Sequence, residues 1–275
     1  MKQETPMNTT DNLDYLAACE LADCSPSLAA YAAARNTPSR LVGGDVTDAA
    51  LSDEGATAAV VASGLIAFAE GVSRLNKDDV MDSFLFATLV ANKAFNAETH
   101  SDQWYEKFNE VLSAMGWLSF HWNYSRYSAT QQRFTMDEVG LEILGSAIAA
   151  AALPGPASLL MLKVAADAVA ALSAKKEPLR LFESQTKMHR GGSFRIASCV
   201  ESEDGTVNLS MGAVSFQADS EVTNVLFWEW QDTNVKTWKG ENNLVLNTGM
   251  YARHRSFIQD ALARKGRSAI EEFEI

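Results

Sequence analysis

The chain has 275 residues, 47 % of them hydrophobic and 21 % charged, with a formal net charge of −12. That length supports one large core, and the composition is that of a globular protein. The acidic balance excludes a nucleic-acid groove, which needs a basic face against the phosphates.

The first twelve residues, MKQETPMNTTDN, are polar. They show no apolar h-region of a secretory signal and no glycine after Met1 for myristoylation. Residues 1–12 are expected to form a disordered tail, and 13–275 a single domain. Location in a cytosol is the default; release or membrane association would need another route. The three cysteines, Cys19, Cys24 and Cys199, are too few and too irregular for a disulfide framework, so reduced thiols are expected.

A helical layer is expected over about 13–116. Short helices fall at Leu13–Asp23 and Ser27–Arg35, and a Gly43-Gly44 loop occupies Asn36–Val46. A long helix is read over Asp53–Leu75, although its glycines weaken the propensity. Asn76 caps the next helix, with Asp78 and Asp79 in the first turn, where the dipole favours negative charge. Ser101 opens another, which Gly116 ends. The period then changes to two. In residues 117–127, WLSFHWNYSRY, apolar and polar side chains alternate as in a strand with one aromatic face.

Thr135 and Glu138 form a capping box for an apolar hairpin over 136–174. Between Glu142 and Lys163 no residue is charged, and Pro154-Gly155-Pro156 splits the run, because proline blocks the helical hydrogen bond. The piece from Ile143 to Leu153 would reach only about 16 Å at ~1.5 Å per residue, short of the roughly 30 Å of a bilayer core. The run therefore reads as two antiparallel helices. Its alanines make it apolar all round, so something has to cover it. A core hairpin, the wall of an apolar cavity and a membrane-inserting hairpin all satisfy that condition.

A meander over 179–247 follows. Its strands are expected near Leu179–Met188, Ser193–Val200, Val207–Phe216, Val222–Trp230, Val235–Trp238 and Leu244–Leu246. Gly191-Gly192 and Asp204-Gly205 serve as turns, and Gly212 as a bulge. A last helix covers 250–265. The order defines an α+β fold: an antiparallel meander packed with a mainly helical N-terminal half and a central Ala-rich hairpin.

No GxSxG, P-loop, GxGxxG or HExxH motif is present. The four histidines, His100, His121, His189 and His254, fall in different elements. The chain is read as a non-enzyme without metal or cofactor. The tryptophan-rich VLFWEW stretch at Val225–Trp230, together with Trp238, fits cross-strand pairs. Arg253, Arg255, Arg264, Lys265 and Arg267 fit a face paired with Glu271, Glu272 and Glu274, or one meeting anionic headgroups.

Cys199 stands out. Phe194, Ile196 and Val200 share one face of its strand; Arg195, Ala197 and Cys199 share the other. Ala-rich helices with a meander, and a lone cysteine in FRIASCVESEDG, resemble the Erwinia virulence factor (Evf) family. That resemblance implies a bacterial virulence protein whose cysteine carries thioester-linked palmitate in an apolar cavity. Lipidation would then fall on Cys199, with Ile143, Ala147, Ala150, Ala151, Leu159, Leu162 and Ala197 lining the cavity. The partners would be a fatty acid or membrane lipid and a membrane or protein target in a host, an insect being one such host. Two other classes fit the same residues: a pore-forming toxin component inserting 143–172, and a plain interaction domain.

Overall fold

A computed structural model describes residues 9–23, 55–128, 134–151, 153, 155–218, 222, 224–230, 235–265 and 270–275. The helix expected at Ser27–Arg35, the loop at Asn36–Val46, the start of the 53–75 helix, and Cys24, Ala152, Pro154 and Arg267 lie outside them. The helices are α1 (Thr9–Ala18), α2 (Arg74–Ala94), α3 (Ser101–Ala114), α4 (Met136–Ala150), α5 (Gly155–Ala174), α6 (Lys176–Thr186) and α7 (Thr248–Lys265). The strands are β1 (Thr57–Val61), β2 (Gly64–Phe68), β3 (Trp117–Tyr127), β4 (Phe134–Thr135), β5 (Lys187–Met188), β6 (Gly191–Glu201), β7 (Val207–Gln217), β8 (Glu229–Trp230), β9 (Lys236–Leu246) and β10 (Ile270–Glu274).

Seven strands run in the order β10-β1-β2-β6-β7-β9-β3, with β5 added beside β6, and β4 pairs with β8 in a separate ribbon. Neighbours are antiparallel except β2 and β6, which are parallel. The α+β class stands: a mostly antiparallel sheet within a largely helical chain.

Alternation along β6 shows two helical layers. Phe194 packs on Phe182 of α6, and Phe194 and Ile196 both crowd Gly140 of α4. Arg195, pointing the other way, reaches Thr88 of α2 and the rings of Trp104 and Phe108 on α3. Successive side chains leave a strand on opposite faces, so α4, α5 and α6 cover one face and α2 and α3 the other. On the second side α7 packs against α2, and α1 against α3.

Several expected elements change type. The segment read as a helix to Leu75 is the β1–β2 hairpin, in which TAAVV and GLIAF are buried on both faces. A strand covered twice is a continuous apolar run, which periodicity cannot separate from a buried helix. Its turn is the two-residue Ala62-Ser63, with Ala62 at φ 49°. Helix α1 begins at Thr9, inside the expected tail. Ser73, not Asn76, caps α2, its hydroxyl accepting from the Asn76 N–H at 3.4 Å.

The first meander strand is instead helix α6. Pro178 sits in its first turn, where its missing N–H costs nothing, and Pro178, Leu181, Phe182 and Thr186 form its buried stripe. Among the described residues of Val222–Trp230, Glu229–Trp230 alone is strand, in the β4–β8 ribbon. Lys236–Trp238 and Leu244–Leu246 belong to one continuous strand, β9, which Val235 precedes. Asp204-Gly205 joins antiparallel β6 and β7 as expected, but Gly191-Gly192 starts β6, and His189-Arg190 makes the turn from β5.

Gly212 is no bulge, because β7 pairs without a register shift on both sides. It admits α4 instead. A Cβ there would lie 2.7 Å from the Leu144 backbone nitrogen and 3.0 Å from the Gly140 oxygen. The expected capping box opens α4, with the Thr135 N–H donating to Glu138 Oε2 at 3.1 Å.

Candidate functional site

Cys199 lies inside β6, fully buried, level with Phe68 of β2 and Leu209 of β7. Its parity is that of Arg195, so it faces the α2–α3 layer. Burial pushes its thiol up, the nearby Glu201 adds to this, and Lys77 of α2 opposes it. A protonated, enclosed sulfur is a poor nucleophile.

The structure does not bring the expected cavity residues to it. Ala197 shares its face and is buried. Ile143 and Ala147 are buried too, but on α4, across the sheet from the sulfur. Ala150 is exposed and Ala151 half-buried. Leu159 and Leu162 open to solvent, at 73 % and 38 % exposure.

What these residues form is an outward apolar surface. Leu159, Leu160 and Leu162 stand on α5 near its start, beyond exposed Ala149 and Ala150 at the end of α4. Among the described residues, α5 is the one helix long and apolar enough to cross a membrane, and only 33 % of its most apolar stretch is buried. At 20 residues it spans about 30 Å at ~1.5 Å per residue. Its charges are paired, Lys163 to Asp167 at 2.5 Å.

Polar ties hold the hairpin's inner side. The Asn243 side chain donates to the Ala147 carbonyl at 2.7 Å and accepts from Ser210 at 2.7 Å. Glu241 of β9 lies 2.8 Å from Lys239 and 3.7 Å from His121. Burial disfavours its charge, but Lys239, Ser146 of α4 and His121 outweigh this and hold its carboxyl below the usual range. A depressed carboxyl stabilises the fold above its unfolded pKa, and that contribution is lost as pH falls through the folded one. The Tm gap between the native chain and Glu241→Gln should therefore be wide at neutral pH and should shrink below pH 4.5, the ordinary value. A gap unchanged by acid would remove Glu241 as the tie.

A second apolar surface lies on β3, at the end of the sheet order, with Phe120 73 % exposed beside Leu118 and Trp122. The VLFWEW stretch is largely interior: Val225 and Leu226 are buried, and Trp228 stacks on Phe216 at 5.3 Å. Of the basic cluster, Arg255 bonds Asp79, and Glu272, expected to pair with that cluster, pairs with Arg74 instead at 2.7 Å.

Sequence reasoning missed Arg195 as a functional candidate. It is 2 % exposed, and no ion pair reaches it among the described residues. Its signal was a cation within a strand, between Phe194 and Ile196, that carries no other charge before Glu201.

No family model matches the sequence, and no curated protein matches it. Among solved structures, one named delta-endotoxin aligns with a TM-score of 0.41 at 14 % identity, over 75 % of this chain and 89 % of that one. The Evf virulence factor aligns with a TM-score of 0.32 at 10 % identity, over 76 % of this chain and 84 % of that one. Both are similar in the course of the chain; the functional reading rests on the surfaces described above.

Proposed function

We propose that this is a non-enzymatic, toxin-like protein that acts on membranes through the α4–α5 hairpin. The carrying observation is the outer face of α5. A core helix of this apolarity would be covered, yet Leu159, Leu160 and Leu162 are 73 %, 41 % and 38 % exposed. Burying one such side chain in lipid is favourable by roughly 1.5–3 kcal/mol. The paired Lys163 and Asp167 reduce the cost of carrying charge into the interface. The partner on this reading is a lipid surface, met from the aqueous side.

Acylation of Cys199 is a separate proposal, and the α2–α3 layer would have to part from the sheet to admit the reagent. Intact mass tests it. An acyl increment that neutral hydroxylamine removes, and that Cys199→Ser lacks, would place a chain on the sulfur.

Dye release from phospholipid vesicles tests the membrane reading. The native protein is expected to release dye, and Leu159→Glu/Leu160→Glu/Leu162→Glu, altered only at solvent-facing positions, to lose at least ~10-fold of the rate, as expected when three apolar anchors are removed. Equal release by both proteins, or none by the native one, sinks the reading.

A further inference from the structure

Arg195 is a buried cation whose surroundings, among the described residues, supply hydroxyls and rings but no carboxylate. Its Nη2 donates to Ser63 at 2.7 Å and to Thr88 at 3.1 Å. The guanidinium carbon lies 4.7 Å from the Trp104 ring centre and 4.6 Å from that of Phe108. The Nε and Nη1 donors have no partner among the described residues, and the Tyr105 hydroxyl, whose oxygen Asn109 approaches, finds no acceptor there for its proton. Burial lowers the guanidinium pKa to about 9, with Tyr105 opposing the shift.

Beside this group is a cavity of 10 Å³, lined by Arg195, Ser101, Ser193, Ser215, Tyr105 and Tyr124 together with apolar side chains. About one water-sized guest needs ~10–15 Å³. An isolated buried ion is costly, and two cation–π contacts with two hydroxyl acceptors offset only part of that cost. A water could accept from the free N–H groups but would leave the charge uncompensated. Ser101 and Ser215 turn to the Tyr124 hydroxyl, so the donors left for a guest are the guanidinium N–H groups and the Tyr105 hydroxyl, which suits a guest that only accepts.

We propose that this cavity holds a single small anion, of halide size, against Arg195. The ion accepts from the free guanidinium N–H groups and from the Tyr105 hydroxyl. It ties β6 and β7 to the start of α3, where no side chain among the described residues supplies the negative charge. The site lies on the α2–α3 side of the sheet, away from the hairpin surface, and is independent of membrane action.

Two experiments on the native chain test this. In crystals soaked in sodium bromide, an anomalous bromide peak is expected within contact distance of the Arg195 guanidinium. A water there instead, or bromide only elsewhere, overturns the proposal. In thermal unfolding at matched ionic strength, the native protein should melt about 3 °C higher in bromide than in gluconate, an anion too large for the cavity. Arg195→Met should melt at the same temperature in both salts. A native protein indifferent to the anion, or a folded Arg195→Met that keeps the difference, overturns it. Should that variant not fold, the bromide map of the native protein decides.

Discussion

Gly212→Val is expected to unfold the protein or destabilise it by at least about 3 kcal/mol, the upper range of overpacking. The reason is what the new side chain would meet. The atoms within reach of a Cβ are the Leu144 nitrogen at 2.7 Å, the Gly140 oxygen at 3.0 Å and the Leu144 Cα at 3.1 Å, all backbone of α4. Backbone in a helix cannot turn aside as a side chain does, so the whole of α4 would have to lift from the sheet. Gly140 makes the matching approach from the helix side, its own missing Cβ leaving room for the Ile196 Cδ1, which would sit 2.7 Å away. The comparison is Gly205→Ala, at a turn with φ +80° and nothing within 4 Å, which should cost only the ~1–2 kcal/mol of left-handed strain. Urea melts of the two variants separate the effects. If Gly212→Val melts no lower than Gly205→Ala, α4 is not seated on that glycine.

Arg255→Met is expected to cost about 3 kcal/mol. Asp79 of α2 is wholly buried, and Arg255 of α7 holds it by two hydrogen bonds, 2.7 Å from Nε and 2.6 Å from Nη2. Breaking a buried pair from one side strands the other charge, a loss of roughly 3–5 kcal/mol. The lower end applies because the arginine side chain keeps 26 % of its exposure. Replacing both partners, in Asp79→Leu/Arg255→Met, should recover most of the loss, since apolar packing substitutes for a buried pair at little cost. A double variant no more stable than Arg255→Met would show that the ion pair is not what joins α7 to α2.

The parts legible in the sequence were those with one strong local signal. Strand β3 alternates from Leu118 to Tyr124, although its pairing with β9 shifts register between Ser119 and His121, the hairpin carries its capping box, and α7 follows its apolar spacing. The β1–β2 hairpin was hidden because a strand between two helical layers has no polar face to give a period. Helix α6 was hidden because Phe182, Ser184, Thr186 and Met188 fit a two-residue period over a stretch too short to exclude it, while Leu181 and Phe182 fit a helical one. Glycine within a strand marks either a bulge or a close approach, and at Gly212 nothing local chooses between them. For the site, parity placed Arg195 and Cys199 together correctly. Which layer would cover that face depends on how distant helices pack, and no spacing along the chain records it.

The parallel join of β2 to β6 sets the order in which the molecule can be assembled. The β1–β2 hairpin, complete at residue 68, is held on one side by β6 at 191–201 and on the other by β10 at 270–274. During synthesis β6 is missing until residue 201 has emerged, and β10 until residue 274. Two unpaired edges on a five-residue Ala/Val strand and its Gly/Leu/Ile/Phe mate are a template for pairing with another chain. Contacts so distant in sequence also form slowly, since the loop between them must close first. The nascent protein therefore depends on something to shield that hairpin, and its yield in a cell should respond to chaperone supply more steeply than its equilibrium stability indicates.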